Sequence, residues 1–351
     1  MKKMTFFSTV LFLLVSHLNV AQTLITQVKP MDKKEWGYIN LKGEFIIPAQ
    51  YRRCYEFTKE GYAPVYDEKD KQYFFINTKG EKLTTEVTGF KLMDGFGTNI
   101  RGFDNELVPV RLGEKWGYMN VEGKEAIKAT FDKVTEFNDG YAAAQRGGAN
   151  IVLDTKGTEI TISDARVFSL KHFSEGLAPF DTKEKNSGFI DAHGKVVIEP
   201  KFISVGYFSS GVAWAKMPDG KVGYLNKKGE WVIEPQFAAA HNFDTQSGLA
   251  RVKVLDKWAY TDKNGKAITL NDTETFDNFS EGLCAGKKGG KAGFYDSTGK
   301  WVIEPQYEGV RDFKNGYAAA KIDGKWGIID RSGKWIIQPT FAGIKDMELV
   351  K

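Results

Sequence analysis

The chain has 351 residues, with 49 Lys or Arg against 45 Asp or Glu, a hydrophobic fraction of 42% and two cysteines. Such a near-balance of charge argues against nucleic acid as the main partner, which calls for a clustered basic face. The apolar fraction is ordinary for a chain that buries a core, and Cys54 and Cys284 replace small apolar residues of the pattern described below, as free thiols do, rather than forming a bridge.

Residues 1–21 read as an export signal: Lys2 and Lys3, the apolar run Phe6–Val15, and the small Ala21 before Gln22. That run is too short to span a bilayer, and no later stretch approaches membrane length, so no membrane span is expected after signal removal. Residues 22–33 lead in with an alternating strand, Leu24–Lys29. From residue 34 to 351 the chain repeats itself. Asn or Asp, two further residues and Gly recur at Asn40–Gly43, Asn77–Gly80, Asn120–Gly123, Asp154–Gly157, Asp191–Gly194, Asn226–Gly229, Asp262–Gly265, Asp296–Gly299 and Asp330–Gly333. A period of about 35 residues is the signature of a repeat array, one continuous body rather than separate domains.

Each unit reads as three short strands. In the last, Gly316–Ile322 precedes an Asp323-Gly324 hairpin turn, Trp326–Asp330 follows, and Lys334–Gln338 ends at Pro339. The punctuation suits a bulged type I turn, its Asn or Asp accepting backbone hydrogen bonds and its Gly taking the left-handed conformation. Units two, four and seven are worn, the Trp-Gly pair being absent or changed there: Tyr73-Phe74, Asn150-Ile151 and Trp258-Ala259. A meander of this size buries too little alone, so neighbours must stack, with the worn units as the weak joints. Unit nine stops within a short tail and reads as truncated. With no sign of a strand exchanged between the termini, the expected fold is an all-β tandem array of about nine three-stranded units, an open superhelix in preference to a propeller.

The phrases KEWGYIN at 34–40, EKWGYMN at 114–120 and GKWGIID at 324–330, with WVIEPQF at 231–237 and WVIEPQY at 301–307, resemble the WG-repeat family. So do the Phe-x-x-Gly-x-Ala elements at Phe137–Ala142, Phe173–Ala178, Phe208–Ala213 and Phe313–Ala318. The resemblance covers about residues 34–344. It implies a β-rich array of the kind found in exported bacterial proteins that bind a ligand, and it brings no catalytic residues.

The tryptophans form two sets, Trp36, Trp116, Trp258 and Trp326 at one repeat position and Trp231, Trp301 and Trp335 at another. Large aromatics on strands are first of all inter-unit core. Trp231, Trp301 and Trp335 are the better candidates for an exposed, ligand-stacking ladder, because other units place Phe45, Val196 or Ala126 there. Glu199, Glu234 and Glu304 recur before prolines; catalysis needs one asymmetric site, so these are solvated strand ends rather than a glycosidase pair. The turn Asp and Asn lack the dense acidic spacing of calcium loops, and His172, His193 and His241 occupy unrelated positions with no metal spacing. No nucleophile, metalloprotease or phosphate-loop motif occurs. The chain therefore reads as a non-enzymatic, exported binding scaffold in the cell envelope or outside the cell, with no cofactor and no metal, and with a protein or glycan as partner. The alternatives are a hydrolase built on the irregular inserts Gly89–Asp104 and Asp244–Ser247, or a purely structural spacer. If a specific site exists, it lies where the copies differ.

Overall fold

The computed structural model describes residues 23–93, 100, 102–268 and 273–350; the expected export signal and part of the Gly89–Asp104 insert lie outside them. At Asn226 the side-chain Oδ1 accepts the backbone N–H of Lys228 at 2.9 Å and of Glu230 at 3.0 Å, while Gly229 N–H donates to the Asn226 carbonyl at 2.9 Å. Asp330 makes the same contacts with Ser332, Lys334 and Gly333. All nine turn glycines have φ between +76° and +85°, where a β-carbon is strained. These turns fix the register of the strands they join.

Every named element among the described residues is a β-strand, and no described helix is long and apolar enough to cross a membrane. The complete meanders have four strands, which corrects the three-stranded unit. In the sixth, Ser204–Val205, Val212–Lys216, Val222–Asn226 and Trp231–Phe237 pair in sequence order, all antiparallel. The added strand is the connector, two residues in most meanders, too short for alternation to show. Its backbone groups need partners once the meanders close around them. We number the sheets by the turn each carries.

The array is not open. Thr23–Pro30 pairs with Trp36–Asn40 on one side and with the C-terminal tail on the other, through Val28↔Ile344, Lys29↔Gly343 and Ile25↔Glu348. Lys345 N–H donates to the Gln27 carbonyl, and Thr26 Oγ1 to the Lys345 carbonyl. The lead segment is thus the second strand of sheet one, and the tail, expected to be a truncated end, supplies that sheet's first strand. Sheets one and nine merge into one eight-stranded sheet, and the array closes on itself.

The Trp-Gly pair has a backbone cause. In sheets one, three, five, six, eight and nine the fourth strand bulges opposite the glycine: Val222 pairs with Phe237 but Tyr224 with Ile233, so two positions face four. A β-carbon on Gly223 would sit 2.4 Å from the Ile233 carbonyl oxygen and 2.8 Å from Pro235 N. Gly37, Gly117, Gly188, Gly293 and Gly327 meet equivalent oxygens at 2.4–2.6 Å. Where Ile151 or Ala259 replaces the glycine, pairing to the fourth strand is regular, as in Val152↔Ile160 and Tyr260↔Ile268. Glycine and bulge go together.

Successive sheets are clasped. Tyr38, Tyr118, Tyr224 and Tyr260, all buried, donate their hydroxyls at 2.7–2.8 Å to the carbonyls of Tyr55, Thr135, His241 and Asp277 in the next sheet. The recurrent Phe of that sheet packs beside the ring, as Phe137 does on Tyr118 at 4.8 Å.

Candidate functional site at the ring's inner wall

The first strands lead into the buried residues Phe57, Phe103, Phe137, Phe173, Phe208, Phe243, Phe279 and Phe313, and in the tail into Met347. Each apolar ring or thioether turns into the core, so the residue before it turns the other way. In sheets one to nine that residue is Asp346, Glu56, Gly102, Glu136, His172, Tyr207, Asn242, Asn278 and Asp312. A cavity of about 390 Å³ is lined by Lys345, Glu56, Gly102 and Glu136, from sheets one to four together. Only the centre of a closed ring brings four consecutive sheets to one hollow.

The wall divides chemically. From sheet nine through sheet four the position holds Asp312, Asp346, Glu56, Gly102 and Glu136; from five through eight it holds His172, Tyr207, Asn242 and Asn278. On the acidic arc, Arg311 pairs with Asp346 and Lys314 with Glu348 of the tail, while Asn315 Nδ2 donates to the Met347 carbonyl at 2.8 Å. Asp312 reaches open space but lies in a concave wall, and burial together with Asp277 and Asp346 holds its carboxyl above the usual range. The Glu348 carboxyl is pushed up to about 7, chiefly by burial, with Glu56 and Asp346 adding to it and Lys314 opposing. On the neutral arc, His172 and Tyr207 stack at 3.8 Å and 14°.

Neighbouring loops hold this wall in shape. Asp139 accepts Gly176 N–H at 3.1 Å, Glu175 accepts Gly211 N–H at 3.1 Å, and Glu281 accepts Gly316 N–H at 2.9 Å. A carboxylate in one Phe-x-x-Gly loop thus receives the backbone N–H of the next, with the donor groups aimed by their left-handed glycines.

Trp231, Trp301 and Trp335 lie on fourth strands, at the far edge of their meanders from this wall. Each is half-buried and packs edge-on against an aromatic ring: Trp231 on Phe202 at 5.8 Å, Trp301 on Tyr295 at 5.4 Å and Trp335 on Tyr307 at 5.6 Å. Trp36, Trp116, Trp258 and Trp326 are half-buried too. Glu199, Glu234 and Glu304 are exposed on the bulges. Of the three histidines, His193 sits in a turn, His172 directly precedes Phe173 on the inner wall, and His241, one place further from its Phe, borders a hollow beside Asn242, so the three keep the different repeat positions read from sequence. No group of three or more metal-binding side chains occurs among the described residues.

Cys284 is buried and Cys54 half-buried, both free, and burial pushes both thiols up to about 11, which keeps them uncharged and unreactive at neutral pH. Asp244, in the second insert, accepts Ser247 N–H at 2.7 Å and Gly282 N–H at 3.1 Å, a structural duty. The residue before the Phe went unnoticed in the sequence because it varies, and a repeat is recognised by what does not. Its signal was that variation beside an invariant core position.

The family model described as "WG containing repeat" matches residues 36–69, 116–148, 188–221, 223–258, 293–326 and 326–348. Those six segments begin at the third strands of the six bulged sheets, and the sheets without a bulge start no match. No curated protein matches the sequence. Among solved structures, a eukaryotic initiation factor is similar at 12% identity and a TM-score of 0.59, over 93% of this chain and 97% of that one. AztD of Citrobacter koseri is similar at 11% identity and a TM-score of 0.43, over 93% and 98%. BamB from Moraxella catarrhalis matches at 16% identity and a TM-score of 0.38, over 69% and 87%. The first likeness is one of fold alone; the other two are too loose to build on.

Proposed function

We propose, from the premise that the chain belongs to the WG containing repeat family, that it is an exported, non-enzymatic binding scaffold whose ligand, a protein or glycan, meets the inner wall of the ring. The repeated residues are accounted for structurally: turn Asn and Asp by hydrogen bonds, glycines by the bulge, tyrosines by inter-sheet clasps. One observation carries the reading. The position before the Phe, or before Met347 in sheet one, keeps its place in all nine sheets but changes chemistry from sheet to sheet, as a recognition surface on a fixed support does. A closed ring directs recognition to its centre, in place of the extended contact along one face that an open array offers.

Export is part of the proposal, motivated by the Lys2-Lys3 and Phe6–Val15 segment. Cell fractionation with N-terminal sequencing of the mature chain tests it: a cytosolic protein that keeps residues 1–21 rules export out. Binding is tested against glycans, peptidoglycan fragments and co-exported proteins, comparing the native chain with variants at Glu56, Glu136, Tyr207 and Asn278. Ligands that bind the native chain and lose affinity on inner-wall substitution support the reading. Ligands insensitive to all four changes contradict it.

A further inference from the structure

Sheet six departs from its sisters at two touching positions. The third residue of its second strand is Trp214, where the other sheets carry Gln27, Pro64, Pro109, Ala143, Pro179, Arg251, Ala285 and Ala319. The connector residue facing it is Gly206, where others carry Thr135, Lys171, Arg311 or Lys345. Gly206 N–H donates to the Trp214 carbonyl at 2.9 Å, and a β-carbon on Gly206 would lie 2.2 Å from Trp214 Nε1. The glycine thus makes room for an indole that no other sheet has there. Trp214 and Tyr207 border a hollow of about 570 Å³ on the neutral arc, completed by His241, Asn242, Thr245 and Asn278, within the size range of small-ligand sites.

The side chains that line this hollow offer no available charge. Asp244, the one carboxylate lining it, is spent on two backbone N–H groups. Arg251 Nη2 lies 2.9 Å from His241 Nε2; a guanidinium only donates, so Nε2 accepts and Nδ1 carries the single ring proton. Burial and Arg251 both lower the His241 pKa, keeping the ring neutral. Among the described residues no protein hydrogen-bond partner is found for the Trp214 indole N–H, the Tyr207 hydroxyl or the Asn242 and Asn278 amides. The site therefore offers aromatic surface and neutral donors and acceptors, while Glu136 and Asp181 act on the Tyr207 hydroxyl from beyond the lining. A sugar ring matches this chemistry, with apolar C–H faces to lay on indole and phenol and hydroxyls for the amides.

We propose that sheets six to eight hold a recognition site for a neutral saccharide, with Trp214 and Tyr207 as its stacking surfaces and Asn242 and Asn278 as its hydroxyl readers. This rests on the binding-scaffold reading and names the ligand class of one arc. The test is calorimetric titration of the full chain with neutral cello-, malto-, manno- and chito-oligosaccharides, with oligoglucuronate as the charged control. At least one neutral series should bind saturably and oligoglucuronate should not. Trp214→Ala should weaken binding by about tenfold or more, Trp214→Phe by less, and Trp301→Ala should leave it unchanged. Alanine occupies the position in sister sheets, so Trp214→Ala is expected to fold, checked by an unchanged circular dichroism spectrum. Failure of every neutral oligosaccharide to bind, or equal affinity in Trp214→Ala, overturns the site. A defined co-exported protein bound at the inner wall and insensitive to Trp214→Ala would overturn the site while leaving the scaffold reading intact.

Discussion

A methyl group on Gly223 would press on the Ile233 carbonyl oxygen at 2.4 Å, and neither strand can yield without losing the bulge. Gly223→Ala should destabilise the protein by about 1–3 kcal/mol, the range for overpacking, measured as a fall in urea midpoint at constant m-value. Ala259→Gly, in a sheet without the bulge, should lack any comparable backbone relief; an equal change of stability at both positions would show that the bulge is not the cause. Tyr118 is buried and its hydroxyl donates to the Thr135 carbonyl at 2.7 Å. Tyr118→Phe should cost about 1–2 kcal/mol because an acceptor is left unpaired, while Phe189→Tyr, with no hydroxyl to replace, should not return that amount. The turn chemistry and the glycines' left-handed backbone were legible at this scale because each rests on residues a few places apart. The reason for glycine after tryptophan was not, since it lies in a bulge on the neighbouring strand.

Among the elements, sheets two, four and seven lack the bulge and the matched Trp-Gly phrase. They should be the earliest to exchange amide hydrogens, with their second and third strands losing protection before those of sheets five, six, eight and nine; the reverse order would remove the notion of weak joints. The tail is a further element with its own sensitivity. The folded Glu348 holds its proton up to about pH 7, whereas an unfolded glutamate releases it near the ordinary value of 4.5. A raised carboxyl pKa stabilises the fold below 4.5, and that contribution is lost as pH rises through 7. The melting temperature should therefore show a fall between pH 5 and 8 that Glu348→Gln reduces; an identical slope in the variant would dissociate Glu348 from the effect. The short connector strands were hidden in the sequence because a pair of residues has no period. The pairing of Thr23–Pro30 with the tail was hidden for a different reason: the tail lacks the Phe, carrying Met347 in its place, so the last copy of the element did not look like one.

For the whole molecule, closure changes what the repeat can do. An open array presents a long face of equivalent residues, and the fourth-strand positions of Trp231, Trp301 and Trp335 are the ones that face favours. A ring instead gathers the first strands, bringing together residues more than 200 positions apart such as Lys345 and Glu136, a proximity no local pattern reveals. The all-β class and the turn period could be read directly; the inner wall depended on which ends meet. The most direct measurement is hydrogen exchange on the full chain and on a chain ending at residue 341. If the tail closes the ring, residues 23–30 are protected in the full chain and lose that protection on truncation, while sheets four to six keep theirs. Fast exchange of residues 23–30 in the full chain, or protection that survives loss of the tail, would contradict closure and the inner-wall site with it.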